Sequence, residues 1–250
     1  MDHDDAQVGR ILGRRDVLAL LGAGGLGALG AAAARSAPPS HEPRASFRLP
    51  KCIVRPAQTE GPYFLEAGLE RSDIRSDPAD GSVREGAPLS LIFQVSRLDA
   101  RSCEPLAGVL VDLWQCDAAG VYSGVEDIDG LFDTRGKQFL RGYQVTGGDG
   151  LARFTTIYPG WYPGRTVHIH FKLRTNPGGA SGHEFTSQLY FDDELTDRVF
   201  ARAAYVADEG ERTRNPDDSL FLNGGDQLLL DVTRDGDGYA ATFDVGLQLG

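Results

Sequence analysis

Positive charge is in short supply in this chain. Lysine and arginine number 25 against 36 aspartates and glutamates, a formal net charge of -11. That balance argues against nucleic acid and anionic membrane surfaces as partners, since both repel an acidic protein. Cysteine is scarcer still: Cys52, Cys103 and Cys116 make one disulfide at most and leave one thiol over. Histidine occurs five times. No internal repeat is visible, so nothing favours a solenoid or propeller. What is present is a chain of 250 residues, 41% hydrophobic and 24% charged, with 32 glycines. It can bury the core of one domain of about 200 residues, with extra segments beside it.

The first residues are not part of that fold. Arg14 and Arg15 precede an uncharged run from Val17 to Ala34 in "GRRDVLALLGAGGLGALGAAAAR". Paired arginines before a modestly apolar Gly/Ala core are the layout of a twin-arginine export signal, residues 1–34. The alternative is a membrane anchor, for which the run has about the minimum length but is weakly apolar. Cleavage after Ala34 satisfies the small-x-small rule through Ala32 and Ala34. The expectation is a periplasmic or extracellular protein, touching a membrane only through an uncleaved signal. Residues 35–50, including "RSAPPSHEPRAS", read as a disordered linker, because Pro, Ser and charge leave nothing to bury. The catalytic or binding domain is residues 51–250.

From Lys51 onward the pattern is all-β. In "LSLIFQVS", Leu89, Leu91, Phe93 and Val95 alternate with Ser90, Gln94 and Ser96, which assigns one set to a core and the other to the opposite face. "VLVDLWQ", "FLRGYQVT", "LARFTTI", "VHIHFKL", "TSQLYF", "QLLLDVTR" and "YAATFDVG" follow, punctuated by turn signals at "GGDG", "PGWYPG" and "DGDG". The last is a hairpin turn, since the rest of a calcium-loop ligand pattern is missing. One helix is expected from Asp193 to about Ala204, capped by Asp192 or Asp193, with Leu195, Val199 and Ala203 near one face. The fold class is an antiparallel β-sandwich with long active-site loops and at most one or two short helices. Cys103 lies in the turn before "VLVDLWQ" and Cys116 just past its far end. At ~3.3 Å per residue the strand separates them by more than ~20 Å, beyond disulfide reach. A disulfide therefore involves Cys52, or all three are buried thiols.

The strand "VHIHFKL" carries the chemistry. Alternation sends Val167, Ile169 and Phe171 to one face and His168, His170 and Lys172 to the other. The two imidazoles stand about 6–7 Å apart at Cα, so both reach a single metal ion. Tyr162 and Arg165 come from the Pro/Gly turn at the same strand end, and Tyr122 from a loop just past another strand. The competing reading is a pair of histidines on a solvated face.

These residues resemble those of the intradiol ring-cleavage dioxygenases, the catechol and protocatechuate 3,4-dioxygenase family. The likeness runs from about Cys52 to the C-terminus. It rests on "TEGPYF" (Thr59–Phe64), "DLWQCDAAGVY" (Asp112–Tyr122), "IYPGWYPGRTVHIHF" (Ile157–Phe171) and "QLYF" (Gln188–Phe191). The resemblance implies a non-haem Fe(III) held by Tyr122, Tyr162, His168 and His170. Arg165 takes the place of the pocket arginine, and Gln188 and Tyr190 match positions around it. Thr59, Gly61, Pro62 and Tyr63 lie near the substrate. The substrates implied are a catechol-type small molecule and O2, and the product a muconate-type diacid. Ligand chemistry agrees: a phenol ionises near pH 10, so binding it as tyrosinate at pH 7 costs about 4 kcal/mol. A hard, highly charged ion offsets that readily, whereas Zn(II) and Cu(I) favour thiolate and imidazole. Such an ion acts as Lewis acid and template, and Arg165 stabilises negative charge on the ring or simply pairs with a carboxylate at the strand end.

The sequence also departs from the ring-degrading members. Only Pro163 and Gly164 separate Tyr162 from Arg165, "RTVHIH" replaces "RPAHIH", and Trp161 stands before the tyrosine, where it is expected to stack on a substrate ring. The identity of the catechol and any homo-oligomer are left open. Two other classes compete: a cupin-like metalloenzyme with three histidines, for which His183 is the remaining candidate, and a non-catalytic β-sandwich binding module.

Overall fold

The four apolar residues that alternate along the first long strand are fully buried, and that strand organises the domain. It is β1, Pro88–Leu98, with Leu89, Leu91, Phe93 and Val95 each 0% exposed. A computed structural model describes residues 52–99, 102–177, 182–205 and 210–249. The expected export signal (1–34) and linker (35–50) fall outside the described residues, as does Lys51.

Two sheets face each other. One has the order β2 (Cys103–Pro105), β1, β9 (Gly238–Gln248), β8 (Val232–Asp235), with β5 (Leu151–Ile157) also paired to β1. The other has the order β4 (Arg141–Val145), β3 (Val109–Trp114), β6 (His168–Thr175), β7 (His183–Tyr190). Phe93 and Phe243 of the first sheet meet Phe171 of the second at ring separations of 5.2 and 5.5 Å. Phe154 closes on Phe93 at 6.0 Å. Each such side chain, fully removed from water, contributes about 1.5–3 kcal/mol, and together they fix which face of β6 points inward.

The all-β sandwich is as the patterning indicates, with some departures. The first sheet is not purely antiparallel: β1 and β9 run parallel from Leu89↔Tyr239 to Leu98↔Gln248. The first and last strands in the order have no tight turn between them, so the antiparallel constraint of a hairpin does not apply. The first helix, α1, spans Asp193–Phe200, with Asp192 as the N-cap accepting from the Leu195 N–H. It stops short of Ala204, and Ala203 is exposed in the following turn rather than on a buried face. A second helix, α2, is one turn, Ser219–Leu222. β8 begins only at Val232, because Gly225–Leu228 forms a 3-10 turn. Cys103 opens β2 rather than a turn, and pairs with Cys52 in a disulfide of Cα separation 5.9 Å. Cys116 is a buried thiol. Among the described residues no helix is long and apolar enough to cross a membrane.

β6 is buried on both faces. Ile169, Phe171 and Leu173 enter the inter-sheet core, while His168, His170 and Lys172 on the other face are also covered. The reading of two histidines on a solvated face therefore fails. Period-2 alternation separates faces but does not say what lies over each, and here the long connections lie over the outer one.

Candidate metal centre and active site

Antiparallel register lines up a row of side chains across the second sheet. Arg141 of β4 stands opposite Trp114 of β3, Trp114 opposite His170 of β6, and His170 opposite Gln188 of β7. One step along, His168 stands opposite Tyr190. The Trp114 indole stacks on the His170 ring at 5.1 Å and 7°. His170 is thus fixed by a neighbour that sheet pairing delivers.

Two loops bring the phenols. After β3, Asp117 ties a knot: its carboxylate accepts from the N–H groups of Ala119 and Val121, both at 3.0 Å, and its own N–H donates to Val121 O. The next residue, Tyr122, is aimed inward and 0% exposed. After β5, the Pro/Gly turn carries Tyr162, closed by a bridge to Arg165. Gly160 N–H donates to Asp117 O, which docks one loop on the other. Gly120 makes that docking feasible. Its φ is +79°, and a Cβ there would lie 2.2 Å from Trp161 O. Gly120→Ala is expected to cost at least ~1–3 kcal/mol through backbone strain alone and to separate Tyr122 from Tyr162. Thermal unfolding measures the first effect and metal retention the second.

The donor atoms converge on His168 Nε2. It lies 3.0 Å from His170 Nε2, 3.1 Å from Tyr162 Oη, 3.5 Å from Tyr122 Oη and 3.4 Å from Arg165 Nη1. Nδ1 of His168 is 2.6 Å from Thr166 O, which fixes the proton on Nδ1 and leaves Nε2 a lone pair. One lone pair cannot serve four neighbours. Ligand atoms about 2.0–2.1 Å from one transition ion stand ~3 Å apart when adjacent around it, the spacing this cluster has.

Electrostatics point the same way. Burial, with Arg165 adding to it, pushes the His168 imidazole down to about 3. Burial followed by the charge of His168 and Arg165 lowers His170 as well. Burial pushes the Tyr162 phenol up to about 12 and holds Tyr122 well above the ordinary phenol value, with Tyr162 adding to the latter. Both imidazoles are therefore neutral, with lone pairs available to an ion, and both phenols require a strong positive charge before they ionise. Among the described residues no three His, Cys, Asp or Glu side chains come together. Two imidazoles with two phenols fit a hard, highly charged ion and fit a thiophilic one poorly.

Arg165 pairs with a carboxylate, as one of the two sequence readings has it, and also faces the cluster. Its Nε donates to buried Asp218 at 2.9 Å, while Nη2 reaches Gln188 Oε1 at 2.5 Å and Tyr190 Oη at 3.4 Å. Gln188 Nε2 donates to Thr59 O, and the Tyr190 hydroxyl lies 2.6 Å from Gln58 Oε1. This network holds the "TEGPYF" strap across the site. Gly61 packs on His170, where a Cβ would lie 3.2 Å from Cε1. Tyr63 packs on Tyr122 with its ring tilted, centroids 4.8 Å apart, and donates to Asp127 at 2.6 Å. Pro62 and Thr59 are exposed beside them.

With this geometry in hand, comparison with known proteins is decisive. The sequence model of a dioxygenase family matches residues 59–223. The chain belongs to the intradiol ring-cleavage dioxygenases. It is 30% identical over 181 residues to the protocatechuate 3,4-dioxygenase beta chain of Burkholderia cepacia, covering 69% of this chain and 71% of that one. An intradiol ring-cleavage dioxygenase from Tetranychus urticae has a similar structure, with a TM-score of 0.65 and 29% identity over 80% of this chain and 95% of its own. The dioxygenase domain of a dioxygenase–carbohydrate-binding fusion from Streptomyces sp. SirexAA-E is 34% identical, with a TM-score of 0.57, over 79% of this chain and all of that one (100%).

Two expectations need correcting for this dioxygenase. Trp161 is not brought to the cluster. In an extended segment neighbours point to opposite sides, so as Tyr162 turns inward Trp161 lines a separate cavity with Phe200, Tyr205 and Arg212. His183 begins β7 opposite Thr175, seven residues along β6 from His168 and ~23 Å away. It is exposed, and the three-histidine alternative falls with it.

Sequence reasoning missed Trp114, Arg141, Gln58, Asp127 and Asp218. Only Asp218 carried a local signal, as the N-cap of α2 before "SLFL". Its pairing with Arg165, 53 residues away, did not.

Proposed function

We propose that this intradiol dioxygenase is a non-haem Fe(III) enzyme that opens a catechol-type ring between its two hydroxylated carbons with O2. Both oxygen atoms enter the product, a muconate-type dicarboxylic acid. The observation that carries this is the convergence of two phenol oxygens and two imidazole nitrogens within 3.5 Å of one another's shared centre at His168 Nε2. Tyr122, Tyr162, His168 and His170 hold the ion. Ferric iron, when bound there, supplies Lewis acidity and a template for the two catechol oxygens.

The remaining roles belong to the chain. Tyr162 is the more accessible phenol and sits on a short turn, so its Oη, ionised while it holds the ion, would be the base that takes a proton from the substrate hydroxyl. Tyr122 has no exposed surface and stays in place. Arg165 faces the cluster with a fixed guanidinium and stabilises negative charge on the ring; Gln188, Tyr190 and Asp218 hold it in register. Gly61, Pro62 and Tyr63 form the wall opposite. Because only Pro163 and Gly164 join Tyr162 to Arg165, the turn leaves room for substituted and bulky catechols.

The test is to purify the chain from Arg35 onward with iron, record its visible spectrum, and screen substituted catechols for O2 uptake. A red to burgundy protein that cleaves substituted catechols at least as well as catechol is expected. Tyr162→Phe should keep most of its iron and lose ~10²–10⁴ in kcat, the range for a lost general base; Tyr122→Phe should lose more iron. A colourless protein that carries zinc and still cleaves catechol would refute the ferric assignment.

We further propose export by the twin-arginine route. The Cys52–Cys103 disulfide suits an oxidising compartment. Replacing Arg14-Arg15 with Lys-Lys should strand the protein in the cytoplasm with both thiols free to alkylation; unchanged export in a native host would rule the route out.

A further inference from the structure

Lys172 is a lysine almost wholly out of water, on the same face of β6 as the two histidines. It is 8% exposed and follows His170 on that face. An ammonium in such a place is costly unless an anion answers it. Strand pairing sets Asp112 of β3 opposite Lys172, but that carboxylate is taken: Arg174 Nη2 donates to Asp112 Oδ2 at 2.7 Å. Lys172 is answered instead from the "TEGPYF" strap. Its Nζ pairs with Glu60 Oε2 and lies 4.0 Å from the centre of the Phe64 ring. Arg174 reaches the next part of the same segment, with Nη1 2.6 Å from Glu66 Oε1.

Both contacts of Lys172 lead back to His170. Glu60 precedes Gly61, which packs on the His170 ring. Phe64 meets Trp114 edge-on at 4.9 Å, and Trp114 stacks on His170. Between the two anchors lie Gly61, Pro62 and Tyr63, the residues of the wall over the site. Packing on Phe64 does not by itself explain a lysine, since a leucine or methionine would cover the ring as well. What a cation adds is a hold on two strap residues at once, a carboxylate and the negative face of a ring.

We infer that Lys172 is a positioning residue: it latches the strap at Glu60 and Phe64, and so sets the gap between the Gly61–Tyr63 wall and the metal centre into which the substrate ring fits. This rests on the reading of function above. Lys172 is not one of the groups gathered at His168 Nε2, so the latch acts on substrate fit and leaves the chemical step alone.

The test compares Lys172→Met, Lys172→Arg, Glu60→Gln and the double variant Lys172→Met/Glu60→Gln with the parent. One readout is KM against kcat for a substituted catechol on the iron-loaded protein. The other is acrylamide quenching of Trp114, which Phe64 covers, in a Trp161→Phe background that leaves Trp114 as the sole tryptophan; it reads the strap without turnover. Lys172→Met should be quenched about 2–30-fold faster, the range that a lost cation–ring contact allows. Its KM should rise severalfold, with kcat and iron content near the parent's. Lys172→Arg keeps the charge over the ring and should bring both readouts back towards the parent. Glu60→Gln should move them as Lys172→Met does, but with the larger fall in Tm. It strands a buried ammonium, whereas Lys172→Met leaves a carboxylate whose side chain is 40% exposed to water. The double variant should match Lys172→Met rather than add to it. Parent-like quenching and KM in Lys172→Met would overturn the inference, as would a fall in kcat and iron content at unchanged KM, or an Lys172→Arg no better than Lys172→Met. Should Lys172→Met fail to fold, Glu60→Gln decides: parent-like quenching and KM there overturn it. A parent chain that cleaves no catechol overturns the reading of function and this inference together; an active parent with unresponsive variants overturns this one alone.

Discussion

His170→Ala and His168→Ala are expected to yield folded, colourless proteins. Both imidazoles lie on the outer face of β6, so the Phe93–Phe171–Phe243 core on the other face is untouched. What is lost is a ligand. Disturbing a hydrogen bond to a metal-bound histidine typically costs 10–100-fold in metal affinity, so removing the histidine should cost more than ~100-fold. Iron content after dialysis should fall below about a tenth of the parent's, and activity with it. His170→Ala should also free the Trp114 indole from its stack at 5.1 Å, which tryptophan fluorescence reads without iron. His183→Ala, at the far end of β7, should change neither quantity. Full iron retention in either site variant would remove β6 from the metal centre.

Arg165→Ala should lose both rate and stability, for separable reasons. Loss of a donor aimed at developing negative charge costs ~10²–10³ in kcat. The stability loss comes from Asp218, whose side chain is 1% exposed and whose Oδ2 also accepts from Thr166 N–H. Stripping a buried carboxylate of its cation costs about 3–5 kcal/mol, or roughly 10 °C in Tm for a domain of this size. Adding Asp218→Asn to Arg165→Ala should return much of the stability and none of the rate, a coupling that a double-mutant cycle measures.

The pH dependence carries a sign. Burial raises the Asp218 carboxyl, but Arg165 and the Thr166 N–H outweigh it and hold the group below the ordinary carboxylate range. With a folded pKa below the unfolded one, its contribution is complete above about pH 4 and disappears as pH falls through the folded value. In Arg165→Ala the largest downward pull is gone, burial prevails, and the sign reverses: the variant should gain stability, relative to the parent, as pH falls from 7 towards 4. Parallel stability–pH curves would show that Asp218 does not depend on Arg165.

Much of this protein follows from sequence because the signals are local. Alternation in "LSLIFQVS" and "VHIHFKL" assigns faces, since side chains in a strand must alternate. Turn residues divide the chain into strands, and Asp192 marks the start of α1. The spacing His168-x-His170 puts two imidazoles on one face whatever the rest of the fold does. The phenols Tyr122 and Tyr162 are legible only as members of a recurring motif.

The tertiary structure decided everything that depends on residues far apart in the chain. Strand pairing set Arg141, Trp114, His170 and Gln188 in one row, a result of register between four separate strands. Loop docking through Gly120 and Gly160 brought the two tyrosines together and turned Trp161 away. The cover over the outer face of β6, the parallel pairing of β1 with β9, the choice of Cys103 as partner for Cys52, and the pairing of Arg165 with Asp218 are likewise long-range. A one-dimensional pattern records which side a residue takes, not which neighbour will meet it there. That is settled by the packing of the whole domain.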